Sequence, residues 1–508
     1  MAAVGVLAGC SGSAAPPGSA YASQAATRAG GTTRPSLPVA VTRAPSAADS
    51  VLTDTAPGAL TAAFARTLFT SAPVVVVSGP AGPALPAAQQ AARAAHAPLL
   101  LASQDTAPAM TQLAAAARTL HPAAVLAEGL PAGAVRELAK GLPGVKVLGR
   151  AAALPATGTP APLSHVAVLV AAHPGKPSAS VTAVTATAEA AGAAVVDVTG
   201  ADPRADPAAI TALARLRPGT VVAVGAQFGP AARLASSVAV AETGRQLPGG
   251  GQVLFPGRRL VALYGHPGTS GLGVLGQQDL AASIARAREM AAAYQPLSSV
   301  PVVPAFEIIA SVAEASPGPD GSYSYETPVS ELLPWVRQAT ADGLYVVLDL
   351  QPGRSSLLAQ AEYYQALLAL PDVGLALDAE WKLQPGQKPL QQIGHVDIGE
   401  VNSVVSWLAA LTARHDLPQK LLVLHQFQLA MLSGEQDLDT SHDDLAIVIH
   451  MDGQGAPAVK QDTWDAVTAA APPGVFFGWK NFLVKDHPML TPGQTMTKSP
   501  APVMISYQ

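Results

Sequence analysis

Between residues 256 and 508 the chain repeats one phrase eight times: a short apolar run, a polar or ionisable tail, and, in most cases, an amphipathic stretch of helix length. The runs are Leu260–His266, Pro301–Glu307, Leu344–Gln351, Val373–Glu380, Lys420–Gln426, Leu445–Asp452, Val475–Asn481 and Val503–Gln508. Strands that alternate with helices build a parallel sheet, because the helix carries the chain back to its starting edge. Eight such units over residues 256–508 match the roughly 250 residues of a closed (β/α)8 TIM-type barrel. The expected fold is therefore α/β, with this barrel following an N-terminal α/β repeat region. In a barrel of this kind chemistry sits at the C-terminal strand ends, where all eight polar tails fall.

Residues i and i+2 of a strand share a face. Four tails carry polar pairs at that spacing: Tyr264/His266, Asp349/Gln351, Asp378/Glu380 and His450/Asp452. Glu307, His425 or Gln426, Lys480 or Asn481, and Tyr507 add single groups. A polar group buried without a partner costs about 1–3 kcal/mol, so a mouth this polar implies either a ligand cleft or a closed hydrogen-bond network. Asp378 and Glu380 stand out. Two carboxylates on one face repel, and partial desolvation adds to the effect, so one can stay protonated while the other stays ionised. Glycosidic bond cleavage uses that division of labour.

The Asp-x-Glu at strand four resembles that of two (β/α)8 glycosidase groups, the chitinase-type family and a muramidase family acting on peptidoglycan. The resemblance implies that Glu380 is the general acid and that Asp378 orients it or stabilises charge on the substrate. It covers the architecture and the strand-four acid only. Ala376 and Gly374 stand where the chitinase-type motif has aspartates, and His266 and Tyr507 stand where the muramidase pattern has them. Strand seven, with Gly478–Phe482, brings no carboxylate. A second catalytic group is then expected from Asp349, Glu307 or Asp452. Substrate contacts are expected from His266, Gln351, Trp381, His425, Gln426, His450, Trp479, Lys480, Asn481 and Tyr507. All five tryptophans lie in this half. Trp381 and Trp479 follow strand ends, where a ring can stack on a sugar or pack in the core; Trp335 and Trp407 read as core.

No cofactor is expected, and the site is read without a metal. The rival is a metal-dependent hydrolase drawing on His266, Glu307, Asp349, His425, His450 and Asp452, although no His-x-His or His-Glu-x-x-His spacing is present. The glycine loop Gly268–Gly273 lacks the nucleophile-elbow pattern.

Residues 49–255 read as two α/β halves, about 49–150 and 165–255, joined near Ala151–Ser164. Strands are expected at Val74–Ser78, Leu99–Ala102, Ala123–Ala127 and Val145–Leu148, then at Val166–Val170, Ala193–Val198, Val221–Val224 and Val253–Phe255. Pro73–Gly79, the helix opening at Leu85, and Ala97–Ala102 resemble the type 2 cell-wall-binding repeat. That resemblance implies attachment to anionic wall polymers. Asp197, Asp202 and Asp206 near a strand end read as helix caps or turn formers. His173 and Lys176 lie near another strand end. Neither Gly200–Pro203 nor Gly225–Gly229 matches a Walker loop or a dinucleotide fingerprint.

Cys10 is the only cysteine, which leaves no intramolecular disulfide. Leu7-Ala8-Gly9-Cys10 resembles a bacterial lipobox, which implies acylation of Cys10, residues 1–10 as the remnant of a signal peptide, and a lipid anchor at the extracytoplasmic face of the cell membrane. Residues 11–48, rich in Ser, Ala, Gly, Pro and Thr, are expected to form a disordered tether. Half the residues are hydrophobic, and much of that is alanine, yet no run of about 20 apolar residues free of Gly, Pro and charge predicts a spanning helix. A net charge of −5 without a Lys/Arg-dense run argues against nucleic acid as a partner. The whole arrangement resembles an actinobacterial lipoprotein group with wall-binding-like repeats and a glycosidase-like barrel. The expected partners are a cell-wall glycan or wall polymer, and the membrane through the N-terminal lipid. The expected function is glycan binding, with hydrolysis by Glu380 or binding alone as alternatives.

Overall fold

The computed structural model describes residues 36–79, 83–172, 175 and 177–508. Cys10, His173 and Lys176 lie outside the described residues. All eight barrel strands form: Arg259–Gly265, Val302–Ala313, Tyr345–Leu350, Val373–Asp378, Lys420–Gln426, Leu445–Met451, Phe476–Asn481 and Met504–Tyr507, here called strands one to eight. Each pairs in parallel with the next, and strand one pairs with both strand two and strand eight, so the sheet closes. A short antiparallel strand, Ser324–Glu326, flanks the far end of strand two.

Alternation divides each strand between two environments. Outward side chains such as Leu263, Phe306, Leu348, Leu375, Leu422 and Ile447 pack beneath the helical layer, against Val336, Val404 and Leu408. Each fully buried side chain of this size contributes about 1.5–3 kcal/mol. Inward side chains of the lower barrel are also apolar: Leu260, Ala262, Val303, Val347, Leu421, Val448 and Met504 form one cluster. Leu247, Leu254 and Phe255, from the segment preceding strand one, close that cluster at the N-terminal end. Gly374 is explained here. A Cβ at that position would lie 2.7 Å from the Leu421 carbonyl oxygen and 3.1 Å from the Tyr345 hydroxyl. Tyr345 crosses the lower barrel and accepts the Leu421 N–H at 3.1 Å. Two of the barrel's helices start where aspartates cap them: Asp279 accepts from Ala282 N at 2.8 Å and Asp397 from Gly399 N at 2.8 Å.

Lys420 opens strand five with no solvent exposure. Its Nζ donates to the carbonyls of Val373 at 2.9 Å and Pro371 at 3.4 Å. Burial pulls its pKa down to about 7, partly opposed by Asp372. The unfolded chain therefore binds more protons than the folded one between about pH 7 and the usual lysine value, and stability rises with pH across that window. Urea midpoints for the parent chain and Lys420→Met are expected to diverge there: the parent climbs as pH rises from 7 to 10, and the variant loses that component. Parallel curves would refute it.

The N-terminal region contains two four-stranded parallel sheets. The first, in spatial order, is Leu99–Leu101, Val74–Ser78, Ala124–Glu128 and Lys146–Leu148. The second is Ala194–Thr199, Val166–Ala172, Thr220–Val224 and Asp49–Leu52. The two orders match position for position except in the last place. Val253–Phe255, expected to be the fourth strand of the second sheet, is not a strand. Asp49–Leu52, from before the first sheet, occupies that place, with Val221–Val224 as its parallel partner. The reason is local. Gly249, Gly250 and Gly251 adopt φ of 88°, 88° and 74°, a turn that sends Leu254 and Phe255 beneath the barrel. Residues counted in the tether expected over 11–48 take part in pairing instead, because Val39 bridges Gly158 and Val41–Thr42 pairs with Phe69–Ser71; residues 11–35 of that expectation lie outside the described residues.

The second sheet's lobe meets the barrel at the N-terminal strand ends. Gln419 N donates to Gln252 O at 2.8 Å, Leu254 N donates to Gln419 Oε1 at 2.9 Å, and Arg233 pairs with Asp443 at 2.7 Å. These attachments lie opposite the barrel mouth. Asp206 caps the helix starting at Pro207 through Ala208 N and Ala209 N, and Asp202 accepts from Arg204 N at 2.9 Å, as the cap or turn reading expects, whereas Asp197 lies exposed within the strand Ala194–Thr199. No helix among the described residues is long and apolar enough to cross a membrane.

Candidate active site at the barrel mouth

One level above the apolar barrel interior the inward side chains turn polar almost together. Tyr264, Glu307, Asp349, Asp378, His425, His450, Lys480 and Ser506 come from eight different strands, all buried, and Asp452 follows directly after strand six. His425 is the centre. Its Nε2 lies 2.9 Å from Glu307 Oε1 and 3.7 Å from Asp349 Oδ1, while its Nδ1 lies 3.0 Å from Asp452 Oδ2. Lys480 Nζ donates to the same Asp452 oxygen at 3.1 Å and stands 3.6 Å from the centroid of the Tyr264 ring. Tyr264 donates to Asp349 Oδ2 at 2.8 Å and accepts from Gln351 Nε2 at 3.3 Å. Ser506 Oγ and His450 Nε2 are 3.2 Å apart.

Proximity sorts these groups by charge. Burial alone would lower the His425 pKa, but Glu307 and Asp452 outweigh it and hold the imidazole protonated, well above its usual value. Burial would raise Asp452 and Glu307; Lys480 and His425 hold Asp452 below the carboxylate range, and His425 lowers Glu307. The remaining carboxyls go the other way. Burial and Glu307 lift Asp349 to about 6 against the pull of His425. Burial and then Asp349 hold Asp378 well above its usual value. His450 falls to about 3 through burial, so its ring is neutral. Glu307 Oε2, Asp349 Oδ1, His450 Nδ1 and Asp452 Oδ1 are buried without a hydrogen-bond partner.

Glu380 sits just outside this cluster, in the turn Ala379–Trp381 that follows strand four. Its backbone N–H donates to Asp378 Oδ1 at 3.3 Å. Its side chain is half-buried and lines a hollow of about 290 Å³ with Trp381, Leu383, Leu390, Gln391, Gln392 and Ile393. Burial, then the charge of Asp452, raises the Glu380 pKa above the usual glutamate range, against Lys480 and Lys485. The far wall folds back because Gly394 permits it. A Cβ there would meet the Lys382 and Glu380 carbonyl oxygens at 2.4 and 2.5 Å, and the Gly394 N–H donates to Glu380 O at 2.7 Å. Lys382 pins the same turn through Glu400 at 2.7 Å.

Of the residues expected at the site, Glu307, Asp349, Gln351, Asp378, His425, His450, Asp452 and Lys480 converge, and Glu380 and Trp381 share the hollow. Five others are elsewhere. His266 is half-buried at the rim, with Nε2 3.1 Å from Thr327 Oγ1 and Nδ1 accepting from Gly268 N at 2.9 Å. Gly265, at φ 148°, turns the chain there and ends the alternation that would have aimed His266 inward. Gln426 faces the helical layer and donates to Glu435 at 2.7 Å. Trp479 is fully buried against Trp464 and Met451, and its Nε1 donates to Asn481 Oδ1 at 2.9 Å, so neither residue reaches the mouth. Tyr507 faces outward to the Tyr294 hydroxyl at 2.6 Å. Its inward neighbour Ser506 takes the mouth position, a choice that i, i+2 spacing along strand eight would have indicated. Trp335 and Trp407 pack partly buried against the outer core.

Of the six metal-ligand candidates, Glu307, Asp349, His425, His450 and Asp452 converge and His266 stays at the rim. His425 uses both ring nitrogens on carboxylates, and His266 uses both on Thr327 and Gly268. Among the described residues no group of three or more His, Cys, Asp or Glu is arranged to hold a metal ion. Comparison of the chain with protein-family models, with curated proteins and with solved structures returns no match.

Proposed function

We propose that the barrel binds an envelope glycan and cleaves a glycosidic bond, with Glu380 as general acid and Asp452 as its partner carboxylate. The observation that carries this reading is the split between the two. Burial and the charge of Asp452 push the Glu380 carboxyl above the usual glutamate range at the edge of a hollow, while Lys480 and His425 hold Asp452 ionised. Environments that push two carboxyls apart in this way assign an acid and a base or nucleophile. Among the three expected partners, Glu307 and Asp349 have no exposure and Asp452 has 8%. Trp381 and the amides of Gln391 and Gln392 give the hollow the apolar face and hydrogen-bonding groups that a sugar ring uses. Glu380 would pass its proton to the leaving oxygen while Asp452 attacks the anomeric carbon or activates water. In this reading the N-terminal lobes hold a wall polymer, and Cys10 carries the lipid that anchors the chain outside the cytoplasm.

A second reading is non-catalytic glycan binding through the same hollow. The tie of Asp452 Oδ2 to both His425 and Lys480 favours it, because a carboxylate so engaged is a weaker nucleophile. Turnover of soluble wall fragments by the purified chain separates the two readings.

The pH profile of kcat/KM tests the assignment. Turnover is expected to persist at acid pH, down to the lowered Asp452 pKa, and to fall as pH rises through the raised Glu380 pKa. An alkaline limb within the ordinary carboxylate range would assign the acid to another group.

A further inference from the structure

A second hollow, of about 370 Å³, opens on the same face of the barrel. It lies between the loop after strand one, the segment after strand seven and Gln508 beyond strand eight. In the closed order, strand four is separated from strand one by two and three, and from strand seven by five and six. The two hollows therefore face each other across the mouth. Ser270, Gln277, Phe482 and Val484 line the second one, and among the described residues Lys485 is the only charged side chain in its wall. Val484 is 78% exposed, and the Lys485 ammonium stands 5.7 Å from the Phe482 ring centroid. This wall is built rather than loose. Phe482 N donates to Asp486 Oδ2 at 3.0 Å, and Leu483 N donates to Gln508 O at 2.8 Å. Asp486 is itself buried and paired with Lys460.

The centre of that mouth is rich in carboxyl groups, which would repel an anionic ligand. A cation at one end favours such a ligand in one orientation only. Resting on the glycan reading above, we infer that the substrate is an extended, carboxylate-bearing glycan laid across the mouth, with one sugar against Trp381 and Glu380 and an anionic sugar further along the chain against Lys485. A ligand that fills both hollows continues past Glu380 on either side, so cleavage falls within a chain rather than at its end.

The test uses the full chain carrying Glu380→Gln, so that ligands are bound and not consumed. Calorimetry would compare disaccharides and hexasaccharides of two kinds: neutral N-acetylhexosamine oligomers, and oligomers alternating N-acetylhexosamine with uronic acid. The anionic hexasaccharide is expected to bind roughly tenfold tighter than the neutral one, the scale of one charge-assisted contact at a solvated rim. The anionic disaccharide is expected to lack that advantage. Adding Lys485→Gln should erase the preference, and Lys485→Glu should reverse it; Lys485 is exposed, so neither change threatens the fold. Equal binding of the two hexasaccharides, or a preference that survives Lys485→Gln, overturns the inference and leaves the glycan reading standing. If no oligomer binds, both fall.

Discussion

Glu380→Gln is expected to lower glycan turnover by about 10²–10⁴-fold, the contribution of a positioned general acid, while oligosaccharide affinity changes little. The amide keeps the shape of the side chain and its place beside Trp381 but has no proton to give. Glu380 is half-buried and its side chain lies outside the central ion-pair network, so the folded state should be preserved. The experiment pairs initial rates on soluble wall fragments with calorimetric binding of the same fragments. Unchanged turnover in the variant would remove Glu380 from the mechanism. Unchanged binding with no turnover in either protein would favour the non-catalytic reading.

His425→Ala is expected to cost about 3–5 kcal/mol of stability, the usual penalty for stripping one partner from a buried ionic network. The imidazolium lies between Glu307, Asp349 and Asp452, with no solvent exposure. Without it, Lys480 alone faces ionised carboxylates whose remaining oxygens already lack partners. The sign of the pH dependence follows. The folded His425 pKa is raised, so its stabilisation is complete below the unfolded histidine value and is lost as pH rises through the folded one. The gap between parent and variant should therefore be largest below the unfolded histidine value, narrow as pH rises toward the folded one and close above it, apart from the cavity left by the ring. Adding Glu307→Gln to His425→Ala removes one orphaned charge and should recover part of the loss. Urea unfolding across pH measures all of this, and a single-variant loss below about 1 kcal/mol would show that the network does not hold the barrel top together.

Much of the barrel was legible because each strand was written twice, as an apolar run and as a polar tail. Asp378, His425, His450 and Lys480 stand where alternation along the strands puts an inward side chain, although the sequence left His425 or Gln426 and Lys480 or Asn481 open, and Glu380 lies past the strand in a turn that alternation does not describe. The failures come where alternation stops or was not pressed. Gly265 bends the chain before His266, and Tyr507, expected at the mouth, faces outward because only one of two neighbours on strand eight can face inward and Ser506 does. Trp479 and Asn481 share the outward face of strand seven and satisfy each other there. The hollow around Glu380 was not visible, since it depends on Gly394 letting a loop fold back on a distant turn. The second sheet's last strand was misplaced for a deeper reason. Apolar periodicity marks a strand but not its partner, and Asp49–Leu52 pairs with residues far along the chain.

That pairing has a mechanical consequence. The segment closing the second sheet is drawn from ahead of the first, so the two lobes are laced together and no cut between them yields two whole modules. It is also an edge strand of four residues held by one neighbour. A pull on the amino end of the chain would be felt at Val41–Thr42 and then at Asp49–Leu52 before any other sheet element. Under tension the second lobe would open first, while the barrel, whose strands have no free edge, stayed shut. Single-molecule stretching from the amino end should therefore register a small early yield ahead of the main rupture, and Val51→Asp should make that yield weaker still.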